Sequence, residues 1–204
     1  MTSSFPEPIQ WSSHELEMIN TVDVFIHKPA IMKKAEGYLN HFKEAMTLEL
    51  AGGNFPTGTD IVKGQLARGE NNKGFPFLSL DIPQMFSKTE MFTFRTLFWW
   101  GHYLGYFLIL KGKKLESHLE QLIAMQNEPA FTEVLVSTAP TPWEWESFQK
   151  LPDFSQEELG TLVEKIQHLK IGRVFPMNEP HFSSLDWTRA GIETWRTVSR
   201  VTQG

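Results

Sequence analysis

An α+β domain, in which an antiparallel sheet of about four strands packs against N- and C-terminal helices, is the fold class this sequence predicts. Three observations lead there. Apolar residues recur at helical spacing toward both ends of the chain, "PFLSLDIP" (76–83) alternates as a strand does, and the aromatic run "MFTFRTLFWWGHYLGYFLILK" (91–111) is interrupted by glycines.

Taken in order, Ser12 followed three residues later by Glu15 has the form of a capping box, and Leu16, Ile19 and residues 22–26 supply an apolar side. This first helix should stop before Pro29, since Lys28 ahead of the proline is biased away from helical angles. From Ala30 onward Ile31, Ala35, Tyr38, Phe42 and Ala45 recur at three- and four-residue spacing. They predict a second helix to about Leu50, closed by Gly52 and Gly53 and antiparallel to the first.

Leu78, Leu80 and Ile82 alternate with Phe77, Ser79 and Asp81, a strand that Pro83 ends. Leu115, Leu119, Leu122 and Ile123 mark a third helix over about 113–126, and "FTEVLVST" reads as a strand over 131–138. Ser155 and Glu158 open a helix running through Leu159, Leu162, Val163 and Ile166. A final helix carries Leu185, Ile192 and Trp195, with Ser184 as its expected cap.

Residues 91–111 admit three readings. As a helix they would be apolar nearly all round and long enough to consider as a membrane span, but Arg95 and His102 are costly near a bilayer centre. Gly101 and Gly105 also weaken a helix, buried or membrane-spanning. Two antiparallel strands at about 91–99 and 103–111, turning near Gly101, fit the aromatic and β-branched content better. Phe94, Thr96 and Phe98 would then face one side, and Arg95, Leu97 and Trp99 the other.

The totals bound the rest. A chain of 204 residues with 41% hydrophobic content can bury a full core, so residues 1–204 are expected to form a single domain. Cysteine is absent, which removes disulfides, thiolate metal sites and cysteine nucleophiles. The start has no basic segment leading into an apolar run and the end has no lipidation pattern, so a cytoplasmic protein without membrane partners is expected. A formal charge of −5 argues against nucleic acid as a partner.

That total conceals an asymmetry. Residues 63–114 hold eight Lys/Arg against three Asp/Glu, whereas the segments on either side are both net acidic. The plain reading is a solvated surface; the sharper one is an anion-attracting centre.

Within this basic block, "FPFLSLDIPQMF" followed by "MFTFRTLFWWGHYLGYFLILKG" resembles a block of conserved hypothetical bacterial proteins. Its marks are a leucine-aspartate-x-proline strand, an arginine-threonine-x-phenylalanine-tryptophan-tryptophan-glycine run and a closing lysine-glycine. The likeness covers residues 63–112, about a quarter of the chain. It implies a soluble bacterial protein and carries no activity.

Two clusters could hold chemistry. In "KGQLARGENNKG" a basic residue precedes glycine three times, at Lys63, Arg68 and Lys73, and such a loop can cradle an anion. It is not a phosphate-binding P-loop, because Glu70 stands where that motif needs lysine, and exposed turns explain it more simply. The second cluster is Asp81, Arg95, Trp99, Trp100 and His102. An arginine on an apolar strand needs a partner, and Asp81 is the nearest in sequence, so an ion pair is the plainer reading and a ligand pocket walled by tryptophan the sharper.

No two histidines stand three or four residues apart, so no zinc site of familiar spacing is expected, and neither a nucleophile elbow nor a dinucleotide fingerprint occurs. Nothing in the sequence specifies a cofactor.

The leading expectation is a domain that binds a small or anionic ligand where the 63–74 loop approaches the 91–111 strand pair. Lys63, Arg68, Glu70, Asn71, Asp81, Arg95, Trp99, Trp100 and His102 are the candidate binding residues. A hydrolase-type enzyme using His102 or Asp81 as base is the first alternative. The second is a protein-interaction or homo-oligomeric domain that presents Trp143 and Trp145 on an exposed patch.

Overall fold

Alternation of apolar side chains over residues 75–111 builds the centre of an antiparallel sheet. The computed structural model describes residues 9–203. They contain α1 (Ser13–Ile19), α2 (Asp23–Glu49), β1 (Gln65–Asn72), β2 (Phe75–Phe86), β3 (Met91–Trp99), β4 (Tyr103–Lys111), α3 (Leu115–Met125), β5 (Leu135–Ser137), β6 (Phe148–Lys150), α4 (Gln156–Ile166), β7 (Leu169–Pro176) and α5 (Trp187–Val198), with short 3₁₀ turns between. The seven strands run in the order β1-β2-β3-β4-β7-β5-β6, every neighbour antiparallel. The α+β class with an antiparallel sheet is as expected; about four strands was too few.

The β3–β4 hairpin keeps an unbroken register from Met91↔Lys111 to Trp99↔Tyr103. Gly101 makes its turn at φ +75°, a conformation costly for any residue with a Cβ. Side chains sort by parity. Phe92, Phe94, Thr96 and Phe98 lie on one face with Leu104, Tyr106, Leu108 and Leu110 of the paired strand. Trp99, Leu97, Phe107 and Ile109 lie on the other, together with Arg95.

The described residues fall into two compact units, 9–34 and 35–203. In the second, helices cover the first face of the sheet. Leu39, Phe42 and Met46 are buried at helical spacing along α2, with Leu50 buried just past its end, and Trp187, Thr194, Trp195 and Val198 along α5. Phe42 meets Tyr106 edge-on at 5.5 Å, Trp195 meets Phe94 at 5.3 Å, and Trp187 stacks on Phe98 at 5.6 Å. Gly191 permits this close packing, since a Cβ there would lie 2.4 Å from Phe42 and 2.7 Å from Tyr106. Tyr106 Oη donates to the carbonyl of Trp187 at 2.6 Å and ties the start of α5 to the sheet.

The opposite face is covered by the irregular segment 138–147. Trp145 is buried against Leu97, Trp99, Phe107 and Ile109, and Tyr103 Oη donates to the Trp145 carbonyl at 2.5 Å. Desolvation holds the Tyr103 phenol far above its usual range, so it stays a donor.

Several local expectations are corrected. The helix does not stop before Pro29, which lies inside α2; the break comes at residues 20–22, so no antiparallel pair turns at the proline. Asn20 Nδ2 donates to the Leu16 carbonyl and Thr21 Oγ1 to that of Glu17, and the capping box at Ser12 opens α1 as expected. Asp186 rather than Ser184 caps α5, accepting from the Arg189 amide at 3.0 Å. The strand expected over 131–138 shortens to β5, because Pro129–Phe131 form a 3₁₀ turn. Ser155 and Glu158 do cap α4, and α3 falls within its expected range.

Candidate functional site

The residues singled out in the sequence divide into three places. Residues 65–72 are a strand, not a loop: β1 pairs with β2 from Gln65↔Asp81 to Gly69↔Phe77, and the chain turns at Lys73 and Gly74, both at positive φ. Weak strand propensity is overridden by pairing, and Gly69 leaves room for the Phe77 ring, which would lie 2.1 Å from a Cβ there. Arg68 shares a row with Leu78 and Phe98, the face opposite to Arg95 and Asp81, and pairs with Glu70 at 3.4 Å in solvent. The Lys63 amide donates to Asp60, and Asn71 Oδ1 accepts from the Gly74 amide at 2.8 Å. These residues are thus spread along and around the β1–β2 hairpin instead of being gathered in one loop.

Asp81 and Arg95 occupy the second place, directly paired across β2 and β3. Arg95 Nε and Nη2 donate to the two carboxylate oxygens at 2.8 and 2.6 Å, and Thr93 Oγ1 donates to one of them at 3.1 Å. The carboxylate is 2% exposed and the guanidinium side chain 16%. Both side chains are spent on each other, the plainer of the two readings. The guanidinium lies 4.7 Å from the Trp143 ring and 5.6 Å from that of Trp145. Trp143 is 46% exposed and Trp145 buried, so the two do not form one exposed patch.

Lys170, missed in the sequence, completes this cluster from β7. It belongs to the row of Thr93 and Ile109 and is fully buried. Its ammonium donates to the carbonyls of Pro142, at 3.2 Å, and Glu144, and sits 4.2 Å from the Trp145 ring. Burial pushes its pKa down to about 7, partly offset by Glu144 and reinforced by Arg95. The unfolded chain therefore binds the Lys170 proton more tightly than the folded one. Stability should rise with pH between about 7 and 10.5 by a contribution that Lys170→Met abolishes. Thermal unfolding of both proteins across that window checks it; parallel curves would show that Lys170 charges freely.

The third place is the β3–β4 turn. His102 stacks on Trp99 at 3.7 Å with an interplanar angle of 3°, and its Nδ1 lies 3.0 Å from the Trp100 carbonyl. Trp99 Nε1 donates to the Asn72 carbonyl at 3.2 Å. Trp99 is four residues along β3 from Arg95, about 13 Å at strand rise, so the turn and the ion pair are separate.

Open space lies elsewhere. Two cavities of about 700 and 500 Å³ share Phe55, Pro56, Phe92, Lys114 and His118, at the end of the hairpin where Met91 and Lys111 pair. Their aromatic wall is Phe55, 6.2 Å from Phe92 and 6.3 Å from Trp195. Two arginines at the rim are matched: Arg196 is bidentate to Glu49, both bonds 2.7 Å, and Arg200 to Glu128 at 2.6 and 3.0 Å. Lys111, Lys113 and Lys114 also line this space, and among the described residues none of them has a carboxylate within 4.0 Å.

His118 is held between them. Its Nδ1 lies 3.1 Å from the Val201 carbonyl, which places the proton of the neutral ring on that nitrogen. Burial lowers its pKa, the Val201 bond opposes this, and Lys114 adds to the lowering. The lowering favours the neutral ring, in which Nε2 is the acceptor nitrogen. The signal for these cations was present in the sequence, as "KGKK" (111–114) closing the basic block. Their aromatic partners come from residues 55, 92 and 195, which no local pattern connects.

A third cavity, of about 760 Å³, is lined by cations and carboxylates together, including Arg173, Glu179, His181 and Asp186. None of the three is lined by the candidate residues named from the sequence. Among the described residues no three His, Asp or Glu side chains gather as a metal ion would require, and no helix is long and apolar enough to cross a membrane. Comparison of the chain with protein-family models, with curated proteins and with solved structures gives no match.

Proposed function

We propose that this protein binds a small anionic ligand with a flat apolar part, in the paired cavities at the Met91–Lys111 end of the hairpin. The observation that carries this reading is three lysines without carboxylate partners beside an aromatic wall. Glu90 lines the same cavity but stands more than 4.0 Å from each of these lysines, so three cations against one carboxylate leave a concave place that attracts an anion. Phe55, Phe92 and Trp195 offer apolar area to the remainder of such a ligand. This reading keeps the anion site within the basic block of residues 63–114 and puts it at residues 111–114 instead of the 63–74 loop.

The test is calorimetric titration with inorganic phosphate and with phenyl phosphate, which adds a ring to the same dianion. Phenyl phosphate should bind more tightly, and Lys113→Glu with Lys114→Glu should weaken both by about tenfold or more, the worth of a lost charge-assisted bond. Phe55→Ala should weaken phenyl phosphate alone. Absence of binding by both probes would falsify the reading.

The hydrolytic alternative has less support. Asp81 is saturated by three donors, and His102 is stacked at a turn that lines none of these cavities.

A further inference from the structure

We propose that residues 9–34 are a self-association arm through which two copies of this chain pair antiparallel. The unit holding these residues comprises α1 and the first part of α2, and α1 buries no side chain. Ten large apolar residues here are between 43% and 96% exposed, among them Trp11, Ile19, Val22, Phe25, Ile26 and Ile31. Val24, Phe25 and Ile26 are consecutive, so the exposed apolar surface runs round the helix rather than along a single stripe. A helix of that kind is stable when other protein covers it.

The amount of surface matches a dimer. At about 100 Å² apiece the ten side chains present on the order of 1,000 Å², against about 800 Å² per partner in a standard protein–protein interface. The charges say which partner. Glu15, Glu17 and Asp23 occupy the first part of the arm, and Lys28, Lys33 and Lys34 the second. An antiparallel two-fold sets the acidic end of one copy against the basic end of the other, twice, which is the self-complementarity an isologous interface requires. A lipid surface suits the arm less well, because helices that lie on membranes carry an excess of Lys and Arg, and here the two signs balance.

Sedimentation equilibrium of the full chain over a dilution series reads the proposal directly. The expected species is a reversible dimer, twice the 23.5 kDa chain mass. Phe25→Asp should shift it to monomer without changing the far-ultraviolet circular dichroism. Lys33→Glu with Lys34→Glu should also give monomer, and mixing that chain with one carrying Glu17→Lys and Asp23→Lys, which spares the Ser12–Glu15 capping box, should restore a mixed dimer. These surface charges have no part in a core, so the swap stays informative should the Phe25 variant misfold. A monomer at every concentration overturns the proposal, as does a dimer that survives Phe25→Asp, or a monomer that co-sediments with phosphatidylserine vesicles.

Discussion

Replacing Asp81 with alanine is expected to lower the free energy of unfolding by about 3 to 5 kcal/mol, because it strands a charge that water scarcely reaches. Arg95 would keep its guanidinium under Trp143 and Trp145 with no acceptor, and the Thr93 hydroxyl would lose its partner as well. The loss measures the penalty of the abandoned partner more than the worth of the pair. Asp81→Leu combined with Arg95→Met should therefore recover most of the stability, since the row between β2 and β3 then becomes continuously apolar. Urea denaturation of the single and double variants separates the two effects. A single variant that loses less than about 1 kcal/mol would mean the pair is solvated like a surface ion pair.

Gly172→Ala should cost about 3 kcal/mol or more, at the upper end of overpacking penalties. A Cβ at this position would stand 1.9 Å from the Tyr106 carbonyl oxygen and 2.9 Å from Phe107 Cα, both backbone atoms of β4. No rotamer change relieves such a clash. The β4–β7 ladder would have to part where it also carries β5, through Leu135↔Gly172. Gly160→Ala is the matched control. It lies inside α4 with nothing within 4 Å of its Cβ, and gains about 0.5 to 1 kcal/mol from lower backbone entropy in the unfolded chain. Opposite shifts in the urea midpoint are expected, and a neutral Gly172→Ala would place β7 farther from β4 than described.

Legibility in the sequence follows the range of the interaction concerned. The hairpin over 91–111 could be read because its period of two, its aromatic content and Gly101 all act within a few residues. The Asp81–Arg95 pair could be read because charge on an apolar strand demands a partner and only fourteen residues separate the two. β1 and β7 were missed for the same reason in reverse. "QLARGENN" has little propensity for extended structure, and it becomes a strand because β2 supplies its hydrogen bonds. "LKIGRVFP" contains a lysine and a glycine that look out of place until Lys170 is seen to meet the carbonyls of Pro142 and Glu144, and Gly172 to make way for β4.

By itself the sequence determined the α+β class, the caps of α1 and α4, the central hairpin and the parity that sends Arg95 and Phe94 to opposite faces. These depend on backbone geometry, which repeats every two or 3.6 residues whatever lies beyond. Tertiary structure alone decided that Arg68 faces away from Arg95, and that Lys113 and Lys114 share a cavity with Phe55 or Trp195. Closeness between residues dozens of positions apart arises from strand order and layer packing, and no local periodicity encodes either.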